Sequence, residues 1–237
     1  VVSNKHLLPI YNQPMVFYPL QTLVKAGITQ IMVVTGGPHA GHFLRVLKNG
    51  EDLGITHLEY AYQEKEGGIA QALSLCKAFA DEGPVTVILG DNTTDADISH
   101  EVKNFTQGAM VFLKKVPDPN RFGVPVFDQA DPQKIIRIDE KPDQPQSDYS
   151  VTGLYIYDAK VFDYITTNQP SARGEMTYDE GSNSHISSRL RPRGSHRAPD
   201  ELEDVLRLQE RSLRREAAKH LYVSRLPRDA RGTSGAE

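Results

Sequence analysis

The sequence predicts an α/β fold: a mainly parallel sheet, mixed toward one side, with helices on both faces. Three observations carry this. Ile31–Thr35 and Val85–Leu89 are short β-branched apolar runs, the composition of strands buried on both faces. Helical patterns alternate with strand patterns through the first ninety residues, joined by short turns, which is the order of a parallel sheet with covering helices. Beyond them, runs at 109–114, 123–127, 134–138 and 151–157 are strand-like and separated by Pro, Asp and Gly turns, which suits an antiparallel addition.

The elements follow in order. Residues 14–26 read as a helix beginning at Pro14 and stopped by Gly27, with Pro19 inside it expected to bend or split the run. After the strand at 31–35, Gly36-Gly37-Pro38 turns the chain, and Phe43, Leu44 and Leu47 have helical spacing over 39–47. His57–Tyr62 alternates as a strand. Gly67-Gly68 opens a helix whose stripe is Ile69, Ala72, Leu73, Cys76 and Phe79. A short helix is expected over 159–166. Residues 181–198 are rich in Ser, Arg and Gly and read as loop or disorder, as do the last residues. Between them, 200–223 has Leu202, Val205, Leu206, Leu213, Ala217 and Leu221 near one face, the pattern of an amphipathic helix.

Composition divides the chain. Over all 237 residues the formal charge is −4. Residues 1–180 hold 15 Lys+Arg against 23 Asp+Glu, whereas 181–237 hold 12 against 8, and 11 of those 12 are Arg. Only Tyr222 of the 18 Phe and Tyr lies in the second part. The expectation is a core at 1–180 and an Arg-rich tail at 181–237. Mild overall acidity argues against bulk nucleic-acid binding, and no apolar run is long enough for a membrane span. The single cysteine, Cys76, excludes a disulfide framework and a Cys-based zinc site, and fits a reducing, cytoplasmic setting.

Several residues have types and positions suited to chemistry. Asp91 follows the Val85–Leu89 strand after one glycine. Open α/β sheets bind ligands beyond the carboxyl ends of their strands, and a carboxylate there suits Mg²⁺ held jointly with substrate phosphates. A turn or cap Asp explains the same local sequence equally well. Gln63 and Gly68 flank a strand-to-helix turn whose glycines admit a ligand to the backbone and whose N–H groups are free; read alone, the stretch is better explained as an ordinary strand–turn–helix. Lys5 can neutralise phosphate, although a lone lysine is more often a solvated charge. Glu140 beside Lys141 can accept sugar hydroxyls and hold an anion at once, but such surface pairs are common. His39 and His42 read as a polar helix start, since no third metal ligand lies nearby. Asp95-Ala96-Asp97 is an Asp-x-Asp, less well placed than Asp91.

The order of these signals carries more than any one of them. Lys5-His6-Leu7-Leu8-Pro9, Gln13-Pro14-Met15, Tyr18-Pro19-Leu20 and Ala26-Gly27-Ile28 open the series. It continues through Gln63 to Ala72, Leu89-Gly90-Asp91-Asn92, Arg121-Phe122-Gly123-Val124, Glu140-Lys141-Pro142 and Val151-Thr152-Gly153-Leu154-Tyr155, and closes at Pro170–Glu175. This series resembles the sugar-phosphate nucleotidylyltransferases over residues 3–175. The resemblance implies a Rossmann-like fold of the nucleotide-diphospho-sugar transferase type. It implies transfer of a nucleotidyl group from a nucleoside triphosphate to a sugar 1-phosphate with release of pyrophosphate, for activated-sugar and polysaccharide synthesis. The spelling lies nearest to members that use dTTP and glucose 1-phosphate. It further implies Mg²⁺ as cofactor, held by Asp91, with Lys5 on the phosphates and Lys141 on the sugar phosphate. Gln63 and the Gly68 backbone would read the base, and Gly123, Glu140 and Val151 would line the sugar pocket. Partners would be the two substrates and a second copy of the chain in a homo-oligomer, not nucleic acid or membrane.

Two departures accompany the resemblance. The family opens with a strand and a Gly-rich loop ending Gly-Thr-Arg, and Val1 falls after that point, so the expectation is an N-terminally incomplete core whose sheet lacks its first strand, in a copy inactive for want of that loop. Beyond Glu175 the family carries a second Mg²⁺-binding Asp in a Trp-containing segment; no counterpart is assigned here, and the chain has no Trp. A non-catalytic sugar-nucleotide-binding protein is the alternative. A basic interaction module at 181–237 is a third reading, opposed by its 8 acidic residues and single aromatic.

Overall fold

The computed structural model describes residues 4–64, 67–131, 134–167 and 220–226. A small hairpin, β1 (Pro9–Ile10) and β2 (Gln13–Pro14), leads into α1 (Phe17–Lys25). Pro14 therefore lies in a strand, and the helix starts three residues later than its sequence pattern. That shift makes Pro19 the third residue of α1. First-turn N–H groups have no intrahelical acceptor, so Pro19 costs no hydrogen bond and does not split the helix. Gly27 ends the helix as expected: with φ +82°, its N–H bonds to Val24 O at 2.9 Å and that of Ile28 to Leu23 O at 3.0 Å, a Schellman closure.

Next come β3 (Gln30–Gly36), α2 (Ala40–Leu47), β4 (His57–Gln63), α3 (Gly68–Ser74), α4 (Lys77–Ala80), β5 (Val85–Leu89) and α5 (Ser99–Asn104). The stripe from Ile69 to Phe79 is thus two short helices rather than one, interrupted at Leu75-Cys76. It still turns Ala72, Leu73, Cys76 and Phe79 inward. Burial, with a smaller effect from the Glu59 charge, pushes the Cys76 thiol up to about 12. The later strands are β6 (Ala109–Lys115), β7 (Gly123–Phe127), β8 (Ile135–Glu140) and β9 (Tyr149–Tyr157), followed by α6 (Val161–Thr167) and β10 (Leu221–Arg225).

Six strands form one mixed sheet in the order β4-β3-β10-β5-β9-β6, and β7 and β8 form a separate antiparallel pair. β3 and β4 pair in parallel, whereas β10 is antiparallel to both β3 and β5. β3, β4 and β5 consequently run the same way, and their carboxyl ends share one rim. β9 and β6 supply the antiparallel side.

The strands alternate between two cores, as a period of two requires. Ile31, Val33, Ile88 and Tyr222 face Leu20, Leu23 and Phe43 of α1 and α2. Met32, Val34, Val87, Leu221 and Val223 face Leu73, Phe79 and Ile165 of α3, α4 and α6. Both faces are covered by helices, as expected.

Two expectations change at β10. The sheet is not left with a gap: Leu221–Arg225 fills the place between β3 and β5, with Tyr222 opposite Val33 on one side and Ile88 on the other. Residues 221–223, read as the end of a helix over 200–223, are therefore a central strand; 200–219 lies outside the described residues, as do the segments 181–198 and 227–237 read as loop or disorder. Leu221, Tyr222 and Val223 are all fully buried, so burial on both faces and two ladders of backbone hydrogen bonds outweigh the helical spacing. Among the described residues no helix is long and apolar enough to cross a membrane.

Candidate active site

Asp91 lies two residues past the end of β5, after Gly90, on the rim shared by β3 and β4. Lys5 comes to the same point from a single 3₁₀ turn (Lys5–Leu7), and its Nζ meets Asp91 Oδ2 at 3.0 Å. The two side chains remain about one-fifth exposed, at 20% and 22%, so a ligand reaches them. Burial pushes the Asp91 carboxyl up, but the Lys5 charge and hydrogen bond outweigh it and hold the group below the usual carboxylate range. Asp91 is therefore an anion at neutral pH. Its other oxygen, Oδ1, accepts from Asn92 Nδ2 at 3.2 Å.

The turn carrying Lys5 is capped by Asn4, whose Oδ1 accepts from His6 N at 3.0 Å and from His6 Nδ1 at 2.7 Å. That leaves Asn4 Nδ2 to donate to His220 Nε2 at 2.8 Å. Burial is the main cause that lowers both imidazoles, His6 to about 4 and His220 to about 3, so both are neutral.

A second group lies around the β7–β8 pair. Gly123 stands opposite Glu140 in register. A Cβ at Gly123 would lie 3.2 Å from Ile138 Cγ2, 3.5 Å from Glu140 Oε2 and 3.8 Å from Val151 Cβ, so the absent side chain leaves a narrow recess bounded by all three. Lys141 Nζ reaches Glu140 Oε1 at 3.3 Å, and Lys141 is held at φ +47° by its N–H bond to Phe122 O. The two groups are joined through β9: Gly153 N donates to Asn92 Oδ1 at 2.9 Å, and Val151 stands two residues away on the same strand. A Cβ at Gly153 would overlap the Asn92 amide.

The third group is at the end of β4. Gln63 Nε2 donates to Gln71 Oε1 at 2.7 Å and to Gly68 O at 3.3 Å, so Gln63 and Gly68 are neighbours. Gln63 is also opposite Gly36 in the β3–β4 ladder, where a side chain at Gly36 would overlap the Gln63 carbonyl.

Thus Lys5 meets Asp91, Gly123 meets Glu140 and Val151, Glu140 meets Lys141, and Gln63 meets Gly68. Asn92 and Gly153 were inside motifs read from the sequence, but nothing local marks them as the tie between two groups. Asn4 and His220 carry no sequence signal, being 216 residues apart. His39 and His42 have ring centroids 5.5 Å apart, and among the described residues no cluster of three metal-ligating side chains includes them. Asp97 accepts from Ser99 N and Oγ, a local i, i+2 turn contact.

A carboxylate and a lysine at a strand-end rim, tied through Asn92 and Gly153 to a second group with its own Glu and Lys, place charges and hydrogen-bonding groups suited to phosphate and hydroxyl chemistry on an α/β sheet. The chain belongs to the nucleotidyl transferase family, whose profile matches residues 2–192. Among its relatives, glucose-1-phosphate thymidylyltransferase of Actinoplanes sp. is 40% identical over 186 residues, covering 77% of this chain and 60% of that protein. The enzyme of the same name from Neisseria gonorrhoeae is 42% identical over 177 residues, covering 73% and 60%. The chain thus spans 60% of the length of these curated relatives. A crystal structure of a Bacillus anthracis protein assigned to glucose-1-phosphate thymidylyltransferase, in complex with sucrose, superposes with a TM-score of 0.68 at 46% identity, covering 74% of this chain and 71% of that one. Apo UDP-glucose pyrophosphorylase shares the fold, with a TM-score of 0.64 at 19% identity.

Proposed function

We propose that this chain carries the transfer site of a sugar-1-phosphate nucleotidylyltransferase, with dTTP as donor and glucose 1-phosphate as acceptor. The observation that supports it best is the Lys5–Asp91 pair at the strand-end rim, tied through Asn92 and Gly153 to the Gly123–Glu140–Val151 recess. In this reading a sugar-phosphate oxygen bonds to the α-phosphorus of the triphosphate while the bond to pyrophosphate breaks. Catalysis is then mainly positioning and charge stabilisation.

Each group has a task. Lys5 gives its ammonium to the triphosphate. Lys141 holds the phosphate of the sugar, and Glu140 accepts from sugar hydroxyls in the space that Gly123 leaves beside Val151. Gln63, with the Gly68 backbone, faces the base. Asp91 fits Mg²⁺: it is ionised, partly exposed and presents hard oxygen ligands, and one carboxylate with substrate phosphates and waters is a common way to hold this ion. Bound there, Mg²⁺ would supply charge neutralisation at the phosphates. Until phosphates arrive, Lys5 serves as the counter-ion of Asp91.

The test is pyrophosphate release from dTTP and glucose 1-phosphate with Mg²⁺, comparing the native chain with Asp91→Asn. The expected result is turnover by the native chain and a loss of about 10³-fold or more in the variant. Full activity in Asp91→Asn sinks the assignment of Asp91. Binding of dTDP-glucose in calorimetry without release from any nucleoside triphosphate and hexose phosphate supports the non-catalytic alternative instead.

A further inference from the structure

His220 touches both of the chain segments that carry the Lys5–Asp91 pair. Its side chain accepts from Asn4 Nδ2 at 2.8 Å, and its backbone oxygen accepts from Gly90 N at 2.8 Å. Asn4 is the cap of the turn whose first residue is Lys5, and Gly90 immediately precedes Asp91. The cap has only one useful orientation. Asn4 Oδ1 must face the two His6 donors, so its NH₂ must face an acceptor, and His220 Nε2 is that acceptor. Turned the other way, the amide would set its NH₂ against the His6 N–H and release the turn that carries Lys5.

The packing is close enough to transmit this. The His220 ring is edge-on to His6 with centroids 4.6 Å apart and lies 4.2 Å from Phe43. Gly90 has no room for a side chain: a Cβ would lie 2.9 Å from His6 Cδ2 and 3.1 Å from Tyr222 Oη. His6, His220 and Tyr222 are all buried, so none of these contacts exchanges with water. His220 itself stands at the head of β10, locked between β3 and β5.

We propose that His220 is a positioning residue for the Lys5–Asp91 pair, its ring orienting the Asn4 cap that places Lys5 and its carbonyl fixing the approach to Asp91. The proposal builds on the assignment of that pair to phosphate chemistry, but its test does not require turnover. β10 is accordingly part of the site's support as well as of the sheet.

The experiment follows the Asp91 carboxyl by ¹³C NMR titration of the full chain without substrates, together with urea unfolding and steady-state kinetics. His220→Leu fills the ring's space but cannot accept from Asn4, and His220→Gln keeps an acceptor oxygen near Nε2. The Asp91 carboxyl is expected to rise by about 1 or more in His220→Leu, as Lys5 moves off, and to stay in place in His220→Gln. Asn4→Ala, which lies outside the sheet, is expected to act like His220→Leu and keeps the test decisive if that variant does not fold. Val223→Ala weakens the same strand without touching the cap and is expected to leave the Asp91 carboxyl unmoved. In kinetics, the His220→Leu turnover number falls about 10-fold with little change in KM for the sugar phosphate, and His220→Gln restores it. An unmoved Asp91 carboxyl in both His220→Leu and Asn4→Ala overturns the proposal. So does a rise in Val223→Ala as large as theirs. Absence of turnover in the native chain would count against the nucleotidyl-transfer reading and leave the titration result standing.

Discussion

Acidification from pH 7.5 to pH 5 is expected to weaken the fold through two buried histidines. Folding lowers His6 from 6.5 to about 4 and His220 from 6.5 to about 3, chiefly by burial. Lys5 adds to both effects, and Asp91 opposes them. Below 6.5 the unfolded chain takes up protons that the folded chain refuses. Stability from these rings is therefore complete above 6.5, falls as pH drops, and is fully lost only below their folded values. At pH 5 each ring has lost about 2 kcal/mol, or about 4 kcal/mol together, a large share of the ~5–15 kcal/mol that holds a typical domain. Asp91 works in the same direction only at lower pH, since its carboxyl is already below the usual range. Urea midpoints at pH 7.5, 6 and 5 measure the effect. Comparison with His220→Gln isolates it, because the two proteins share every other titrating side chain. The variant should lose about 2 kcal/mol less than the native chain over this interval. A native-minus-variant difference that does not change with pH, or His220 titrating near 6.5 in the folded protein, refutes the reasoning.

Two substitutions probe other parts of the structure. Gly123→Val places methyl groups where a Cβ already comes within 3.2 Å of Ile138 Cγ2, 3.5 Å of Glu140 Oε2 and 3.8 Å of Val151 Cβ; KM for glucose 1-phosphate should rise about 10-fold or more, with a stability loss of about 1–3 kcal/mol in urea unfolding from the crowding against Ile138, and an unchanged KM contradicts the pocket assignment. Tyr222→Phe removes a buried hydroxyl that has no hydrogen-bond partner. It should be neutral or stabilising by about 1 kcal/mol, and a loss beyond that in urea unfolding would mean that the hydroxyl is bonded.

The parts of the fold that sequence pattern reveals are those whose signal is local. Val85–Leu89 is apolar at almost every position because both its faces are covered, and it appears as the strand it resembles. Asp91 is legible because strand, glycine and carboxylate are consecutive. The Gly123–Glu140–Val151 recess needs the β7–β8 register to exist, and only the ordered motifs point to it. Pro19 does not split the run because its effect depends on where α1 begins, and helix starts are set by the hairpin before them as well as by the apolar stripe. β10 is the clearest case of tertiary override. Leu213, Ala217 and Leu221 share a helical stripe, yet Leu221-Tyr222-Val223 is also a three-residue apolar run, and the slot between β3 and β5 decides between the two. No local pattern describes a contact such as Asn4 with His220.

The position of β10 also has a consequence in time. The strand at the middle of the sheet follows α6 in the chain, so the facing edges of β3 and β5 are made before the partner that lies between them. About 60 residues separate the end of α6 from the end of β10, which at ~5–20 residues per second is roughly 3–12 seconds of translation. During that interval two apolar strands present unpaired N–H and C=O groups, the feature that promotes edge-to-edge association. Pairing of β10 then closes a central seam, and yield in the cell depends on how well those two edges are shielded until the seam closes.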